Sequence, residues 1–592
     1  MNRVGCVSWL GKNRDAASCR EATLYVFCCV AALSVVAPYA ADGGWPQTTE
    51  MNRYPLLVEH FYQAFLSGKW WPRWLPNLDG GYGYAEFVFY QPLFFFLAIP
   101  FRAIFGGPVA ATWGAIAATL ALGACGSFRL CHGGREPRLG ICGATLFLFA
   151  PYVYVNWLAR GDLSELLATA LCPWVLAFYI EALTENAKGG SHRLGYSLAL
   201  SLLAHPVVGV SLGMFLALGS LSLLPRARDR RILRVLTVEG VRAVCVSTPY
   251  WLPVILMAHT THIDGAFNWD PVPNTVPPWL LLGHQWSPSA AKNNFSLGPI
   301  SLALALAGAA VAWRYRQTRI LGGILIAALV LMTPWLAAAW RIPPLSTFQF
   351  PWRFLSLCVA LQIGLMRGLG EVRSDLRSFA GSICLPVILV AGWVPGQFKV
   401  EARLADAEVS LRYVFSTSLT RRETLDVLGE KRPRTVTDLP KLPIGLAGER
   451  LAAPPGVSVQ ALPGNDAHWL RYAISAAKPS EITIRQFFLP GWLIEVDGEK
   501  VSDETLRERL QPDGLIRLLV APRPDGRPVK LTATYADPRG ANVGYWLAAL
   551  TLLTPWAIRR LRKLRHIPRA QKFLRQKRDQ PEHQSDGHLD HV

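Results

Sequence analysis

Apolar runs long enough to cross a bilayer, each ended by a short polar break, recur along most of this chain. The first is Thr23–Ala41, and Pro108–Leu130, Leu139–Val155 and Leu166–Leu183 follow. The run Leu194–Leu224 is too long for one crossing and holds His205-Pro206 near its middle, so it is expected to fold as two short spans around that break. Val235–Met257, Ile300–Trp313, Ile320–Trp340, Phe354–Met366, Phe379–Val394 and Val543–Ile558 complete the series. A crossing helix needs roughly 20 residues, and the pattern predicts a polytopic α-helical membrane protein of about twelve spans.

Charge orients the spans. Counting from a cytoplasmic N-terminus puts "RLCHGGREPR", "NAKGGSHR", "PRARDRRILR", "RYRQTR", "RGLGEVRSDLR" and the C-terminal tail on one side, as positively charged cytoplasmic loops require. Both termini are then cytoplasmic. The alternative for the first run is a cleaved signal peptide, because "PYAADG" supplies small residues after an apolar core. Composition agrees with the membrane reading, with 51% hydrophobic and 17% charged residues and a mean hydropathy of +0.24. The net charge of +19 comes from these clustered loops and the tail, so it indicates membrane topology and no nucleic-acid partner. The eleven cysteines sit in the leader or at apolar runs, where nothing demands a disulfide and no zinc spacing occurs.

The chain divides into a transmembrane part, 1–395, with a first outer loop at 42–107, then an outer segment at 396–541, a last span at 542–560 and a basic tail at 561–592. The segment 396–541 has a different rhythm. In "VKLTATY", Lys530, Thr532 and Thr534 alternate with apolar or aromatic residues, the period of a half-buried strand. "ITIRQFFLPGWLIEVDGEKV" and "DGLIRLLVAP" add strands bounded by Pro-Gly and Asp-Gly turns. A β-rich periplasmic domain is therefore expected there.

Polar residues gather at the outer ends of spans. The first outer loop supplies Glu50, Arg53, Glu59, His60, Lys69, Arg73, Asp79 and Glu86; "ARGDLSE" supplies Arg160, Asp162 and Glu165; "TFQFPWRF" supplies Gln349, Trp352 and Arg353. Each set has an ordinary explanation. Trp and Arg in "GKWWPRW" serve as interfacial anchors, Asp162 and Glu165 suit the dipole of a first helical turn, and His205 reads first as a packed, hydrogen-bonded residue. The combination of carboxylates and guanidinium groups in several loops of one face points further, to a shared site.

The ordered motifs "GKWWPRWLPNLDGGYGYAEFVFYQPL", "NWLARGDLSELLATALCPW", "FQFPWRF" and "FLPGWLIEVDG" resemble those of bacterial membrane proteins labelled 6-pyruvoyl-tetrahydropterin synthase-related, akin to the YfhO-like proteins of the GT-C glycosyltransferase superfamily. The resemblance implies a GT-C-like fold in the bacterial inner membrane. It also implies an enzyme that passes a sugar from a polyprenyl-phosphate carrier to an envelope glycan, lipid or protein acceptor on the periplasmic face. It places the first-loop acid on Glu50, about eighteen residues before Gly68, with Glu where Asp is usual and without the customary following His; Gln91 stands where a related motif has Lys. Glycosyl transfer with inversion needs a base for the acceptor hydroxyl and cations for the departing phosphate. Glu50 is the expected base, Arg160 and Arg353 the phosphate ligands, and Glu165 the group that orients an arginine or binds a divalent cation such as Mg or Mn. Asp162 is the reserve acid. Arg73, Trp74, Tyr84, Trp352 and His205 are candidate substrate contacts, with Trp71 a further wall residue. A lipid or polysaccharide transporter or flippase, or a non-catalytic membrane scaffold, are the competing readings.

Overall fold

The helix Leu163–Leu183 forms the middle of the molecule because its sequence is apolar on every side between its first turn and Glu181, and a helix apolar all round is stable only when covered all round. Pro108–His132, Arg193–Ala204 and Leu355–Met366 pack against it, and Pro108–His132 also carries the N-terminal helix Gly5–Ala41 and the short helix Pro137–Leu148. The computed structural model describes residues 5–41, 45–46, 50–51, 53–132, 136–183, 192–226, 229–263, 270–282, 295–343, 345–371, 403–404, 431–438, 440, 449–538, 540–557 and 560.

Five described helices are long and apolar enough to cross a membrane: Glu21–Ala41, Pro108–His132, Leu163–Leu183, Arg230–Thr260 and Pro351–Glu371. Two bent pairs raise the count to as many as seven. The expected span Phe379–Val394 and the tail lie outside the described residues, while 541–557 are helical. Proline decides how the remaining runs break. The run Leu194–Leu224 forms Arg193–Ala204 and Pro206–Leu221, with His205 extended between them and its Nδ1 accepting from Val208 N at 3.4 Å. The run Ile320–Trp340 is not one straight helix. It bends by 85° at Thr333-Pro334, since Pro334 brings no N–H to continue the ladder, and the Trp340 indole donates to Leu331 O at 2.7 Å across the bend. Cys28, Cys29, Cys125, Cys131, Cys142, Cys172, Cys245 and Cys358 are free thiols.

Among the described residues, 449–538 hold eight strands, apart from the short pair Trp45–Pro46 and Arg403–Leu404: β1 Leu451–Ala452, β2 Ser458–Ala461, β3 Leu470–Ser475, β4 Ser480–Phe487, β5 Trp492–Val496, β6 Glu499–Lys500, β7 Leu515–Val520 and β8 Val529–Tyr535. They form an antiparallel five-stranded sheet, β2-β3-β8-β5-β6, and a three-stranded sheet, β1-β4-β7. Leu531 of β8 pairs with Tyr472 on one side and Val496 on the other. Ile474, Ile494 and Leu531 of the first sheet share one core with Ile482, Ile484 and Ile516 of the second. The expected alternation in β8 ends at Thr534, which is buried because its hydroxyl donates to His468 O at 2.6 Å and accepts from Lys69 Nζ at 2.6 Å.

That same core includes Trp74, Tyr82, Ala85, Val88 and Phe89, so the first loop belongs as much to the β region as to the helices. The Trp74 indole donates to Gln486 Oε1 at 2.9 Å and Phe487 N donates to Tyr82 O at 2.8 Å. Gly83, at φ +90°, lies flat against the Trp74 ring, a position that requires the missing Cβ.

Candidate active site

A local change of helical pitch builds the site. Residues Val155–Ala159 wind as a π-helical turn, which Arg160 N closes by donating to Val155 O at 2.8 Å. Such turns widen a helix and re-aim the side chains around them. Gly161 then reverses the chain at φ +77°, and Asp162 starts the next helix by accepting from Glu165 N through Oδ1 at 3.0 Å. Aspartate is a favoured N-cap. In the usual capping box the glutamate three residues later reaches back to the cap. Glu165 instead turns inward, fully buried, and accepts from the hydroxyls of Tyr152 and, at 3.3 Å, Ser356. Helix capping therefore accounts for Asp162 but not for Glu165.

Two arginines reach these acids from different segments. Arg160 donates to Asn156 Oδ1 at 2.8 Å, Glu165 Oε2 at 3.1 Å and Asp162 Oδ2 at 3.3 Å, with its guanidinium 4.4 Å from the centre of the Trp352 ring. Arg353, in the tight turn Pro351–Phe354, places Nε 3.2 Å from Glu165 Oε2 and Nη2 4.0 Å from Asp162 Oδ2. Its buried Nε makes no proper hydrogen bond among the described residues. A guanidinium held by charge but incompletely hydrogen-bonded is a donor ready for an anion. His205 Nε2 lies 3.8 Å from Asp162 Oδ2. Because His205 Nδ1 accepts from Val208 N, Nε2 carries the proton in the neutral ring and faces the carboxylate.

The first loop completes the group. Glu50 N donates to Arg160 O at 2.9 Å, which fixes the half-buried Glu50 beside the arginines. Burial and the charge of Asp162 raise the Glu50 pKa above the ordinary glutamate value, outweighing Arg53, Arg160 and Arg353. Asp162 goes the other way: burial alone would raise it, but His205, Arg160 and Arg353 bring it down to about 2. Two neighbouring acids are thus separated into one prone to take a proton and one that stays ionised. The Tyr54 hydroxyl donates to Asp162 Oδ1 at 3.2 Å and, with its one proton used there, accepts from Tyr90 at 2.8 Å and from Ser164 N at 3.0 Å.

Glu50, Arg160, Asp162, Glu165, His205, Trp352 and Arg353 are therefore neighbours. Three other candidates lie elsewhere. Arg73 is buried, donating to Pro249 O at 2.7 Å, the Tyr545 hydroxyl at 3.1 Å and Asp537 Oδ1 at 3.3 Å. Trp74 is in the β-region core, and the Tyr84 hydroxyl accepts from Lys431 N at 3.1 Å. Tyr54, Tyr152, Asn156 and Ser356 join the site without having been singled out by sequence. A second buried ion cluster stands behind Tyr90: Glu86 takes Arg53 Nη2 at 2.8 Å and Lys431 Nζ at 3.1 Å, and both cations lie over the Tyr90 ring.

Asp162, Glu165 and His205 each offer a ligand atom within 4.8 Å of the others, a spacing that could bind a metal ion. Both carboxylates are already engaged, Asp162 Oδ2 with Arg160, Glu165 Oε2 with Arg160 and Arg353, and Glu165 Oε1 with the Tyr152 and Ser356 hydroxyls. Mg and Mn ask for about six oxygen-rich ligands, so a divalent cation here would have to replace the guanidinium groups. In the arrangement seen, the residues fit arginine counter-ions better than a resident cation.

Residues 87–398, more than half of the chain, match the family described as the 6-pyruvoyl-tetrahydropterin synthase related domain, membrane protein. The chain belongs to that family. No curated protein matches it. Among solved structures, the arabinofuranosyltransferase AftD from Mycobacteria is similar at 17% identity and a TM-score of 0.42, over 64% of this chain and 27% of that one. ArnT from Cupriavidus metallidurans in the apo state is similar at 16% identity and a TM-score of 0.40, over 70% of this chain and 79% of that one. The Archaeoglobus fulgidus oligosaccharyltransferase in complex with Zn and sulfate gives 14% identity and a TM-score of 0.40, over 65% and 53%. This family member thus spans about a quarter of the mycobacterial enzyme's length.

Proposed function

We propose that this protein is a membrane glycosyltransferase that moves a sugar from a polyprenyl-phosphate carrier to an envelope glycan, lipid or protein acceptor at the periplasmic face. The observation that carries the reading is the Glu50 N to Arg160 O hydrogen bond of 2.9 Å, which joins the expected base and an expected phosphate ligand. On the twelve-span topology read from the sequence, with both termini in the cytoplasm, this cluster would lie on the outer side of the inner membrane, in reach of both lipid carrier and acceptor.

Glu50 takes the acceptor hydroxyl proton as that oxygen attacks the anomeric carbon, and its raised pKa suits a group that must accept a proton near neutral pH. The bond from the anomeric carbon to the phosphate oxygen breaks with inversion, and polyprenyl phosphate leaves with the electron pair. Arg160 and Arg353 hold the departing phosphate, each kept in place by Glu165 and neither able to lose its charge. Asp162 stays ionised and steadies His205 and Arg160. The ring of Trp352 backs Arg160 and offers a face to the sugar. No step passes through a metal.

A transporter or flippase is the second reading, and the broken helix at His205-Pro206 beside the acids is the observation that favours it. The test is a mass comparison of envelope glycans and lipids from a deletion strain complemented with wild type or Glu50→Gln. A sugar missing in the deletion strain and restored by wild type alone supports transfer. Restoration by both, with the variant as effective as wild type, removes Glu50 from the chemistry.

A further inference from the structure

Helix Leu163–Leu183 has the acid-arginine cluster at its start and a second arginine cluster at its end, about 30 Å away at 1.5 Å per residue. There Arg316 donates through Nη2 to Leu183 O at 3.2 Å and through Nη1 to both oxygens of the buried Asp229 at 2.7 Å. Two basic loops remote in sequence are thereby drawn together. Between them, helices Pro206–Leu221 and Arg316–Met332 enclose a cavity of about 300 Å³, with Arg226, Arg316 and Arg319 at its mouth and Leu218, Ile320 and Ile324 along its wall.

Among the described residues three guanidinium groups line this mouth beside one carboxylate, Asp229, and that carboxylate is committed to Arg316. Arg226 and Arg319 are exposed, and no acidic side chain among the described residues pairs with either. Gly323 lines the cavity, and a carbon added to it would meet open space, so the helix leaves a gap there that no side chain among the described residues fills. Nearby apolar side chains, Leu218, Leu221, Leu224 and Ile326, are exposed in the manner of a surface covered by acyl chains. A basic mouth joined to an apolar slot between two membrane helices complements a phosphodiester headgroup with its hydrocarbon tail.

We propose that this groove, on the face opposite the candidate active site, binds an anionic phospholipid of the bilayer. Arg226 and Arg319 hold its phosphate, Arg316 adds charge from behind, and one acyl chain runs along Ile320, Gly323 and Ile324.

Native mass spectrometry of the full chain, released from micelles with equal phosphatidylglycerol and phosphatidylethanolamine, tests this. Wild type is expected to retain phosphatidylglycerol at least roughly tenfold over phosphatidylethanolamine. Arg226→Gln with Arg319→Gln should weaken that retention roughly thirty-fold, the loss of two surface charges beside an anionic lipid. Gly323→Leu, which fills the slot and leaves the charges, should abolish it, while Gly323→Ala should keep it and serve as the folding control. Equal retention of the two lipids by wild type, or undiminished retention in the double Arg and Gly323→Leu variants, would overturn the proposal. Full displacement of the lipid by millimolar inorganic phosphate would also overturn it, because the apolar slot would then contribute nothing.

Discussion

Glu165 is the most demanding residue in the cluster, and neutralising it tests whether the charges stabilise one another. Glu165→Gln preserves shape but leaves two buried cations short of a counter-charge. Arg160 keeps Asp162 at 3.3 Å and Asn156 at 2.8 Å, whereas the ion-pair partner left to Arg353 among the described residues is Asp162, at 4.0 Å. Breaking a buried pair by removing one partner costs about 3–5 kcal/mol. The remaining partners of Arg160 put this case at the low end, about 3 kcal/mol. Arg353→Gln alone should cost about 2 kcal/mol, since Glu165 retains Arg160, Tyr152 and Ser356. The double variant has neither orphaned charge, so it should be milder than the sum, with a coupling energy of about 2 kcal/mol. Unfolding in mixed micelles titrated with SDS and followed by tryptophan fluorescence gives all four values. Additivity to within about 0.5 kcal/mol would refute the proposed coupling.

Three further outcomes concern Asp162, Lys69 and Gly83. Asp162 has its pKa depressed to about 2 in the folded protein, so its stabilising contribution is complete above the unfolded value of about 3.9 and is lost as pH falls toward about 2. Asp162→Asn should flatten that part of the stability profile, and an unchanged acid limb would contradict the assignment. Burial holds the Lys69 ammonium down to about 8 against the pull of Asp537 and Asp466, so stability should rise as pH climbs from about 8 toward about 10.4. Acetylation of Lys69 followed by mass spectrometry should show a half-point near 8; a half-point at that of ordinary lysines would refute this. Gly83→Ala forces a carbon against the Trp74 ring and Gln486 at φ +90°, and should lower stability by about 1–3 kcal/mol, read as a drop in the melting temperature of the β region. A melting temperature equal to wild type would show that the loop can yield there.

Much of the site was legible because polar groups at membrane helix ends need a reason. Arg160, Asp162, Glu165 and Arg353 stand out in apolar surroundings, and their pattern alone suggested a common face. Tyr152 and Ser356 did not stand out, since a tyrosine or serine in an apolar run reads as packing. Only the π-helical turn at Val155–Ala159 and the close approach of helix Leu355–Met366 turn them onto Glu165. Arg73 shows the opposite failure. "GKWWPRW" reads locally as a site wall or a headgroup anchor, but its arginine is held by Asp537 and Tyr545, more than 460 residues away in sequence. No local pattern encodes such a partner. The break at His205-Pro206 could be read from proline, and so in principle could the 85° bend at Pro334, which a continuous apolar run concealed. Alternation identified strand faces in the β region, but it could not give β8 its central place in the sheet, because alternation says which side a residue faces and nothing about which strand lies beside it.

Glu50 is the proposed base in sugar transfer from a lipid-linked phosphate donor. Purified wild type and Glu50→Gln, both reconstituted in lipid with a radiolabelled polyprenyl-phosphate sugar and an envelope extract as acceptor, give the direct comparison. Label should move to the acceptor with wild type and fall at least roughly 10²-fold with the variant, the scale of a lost general base, while donor binding persists through Arg160 and Arg353. Equal transfer by the two proteins would remove Glu50 from the role of base.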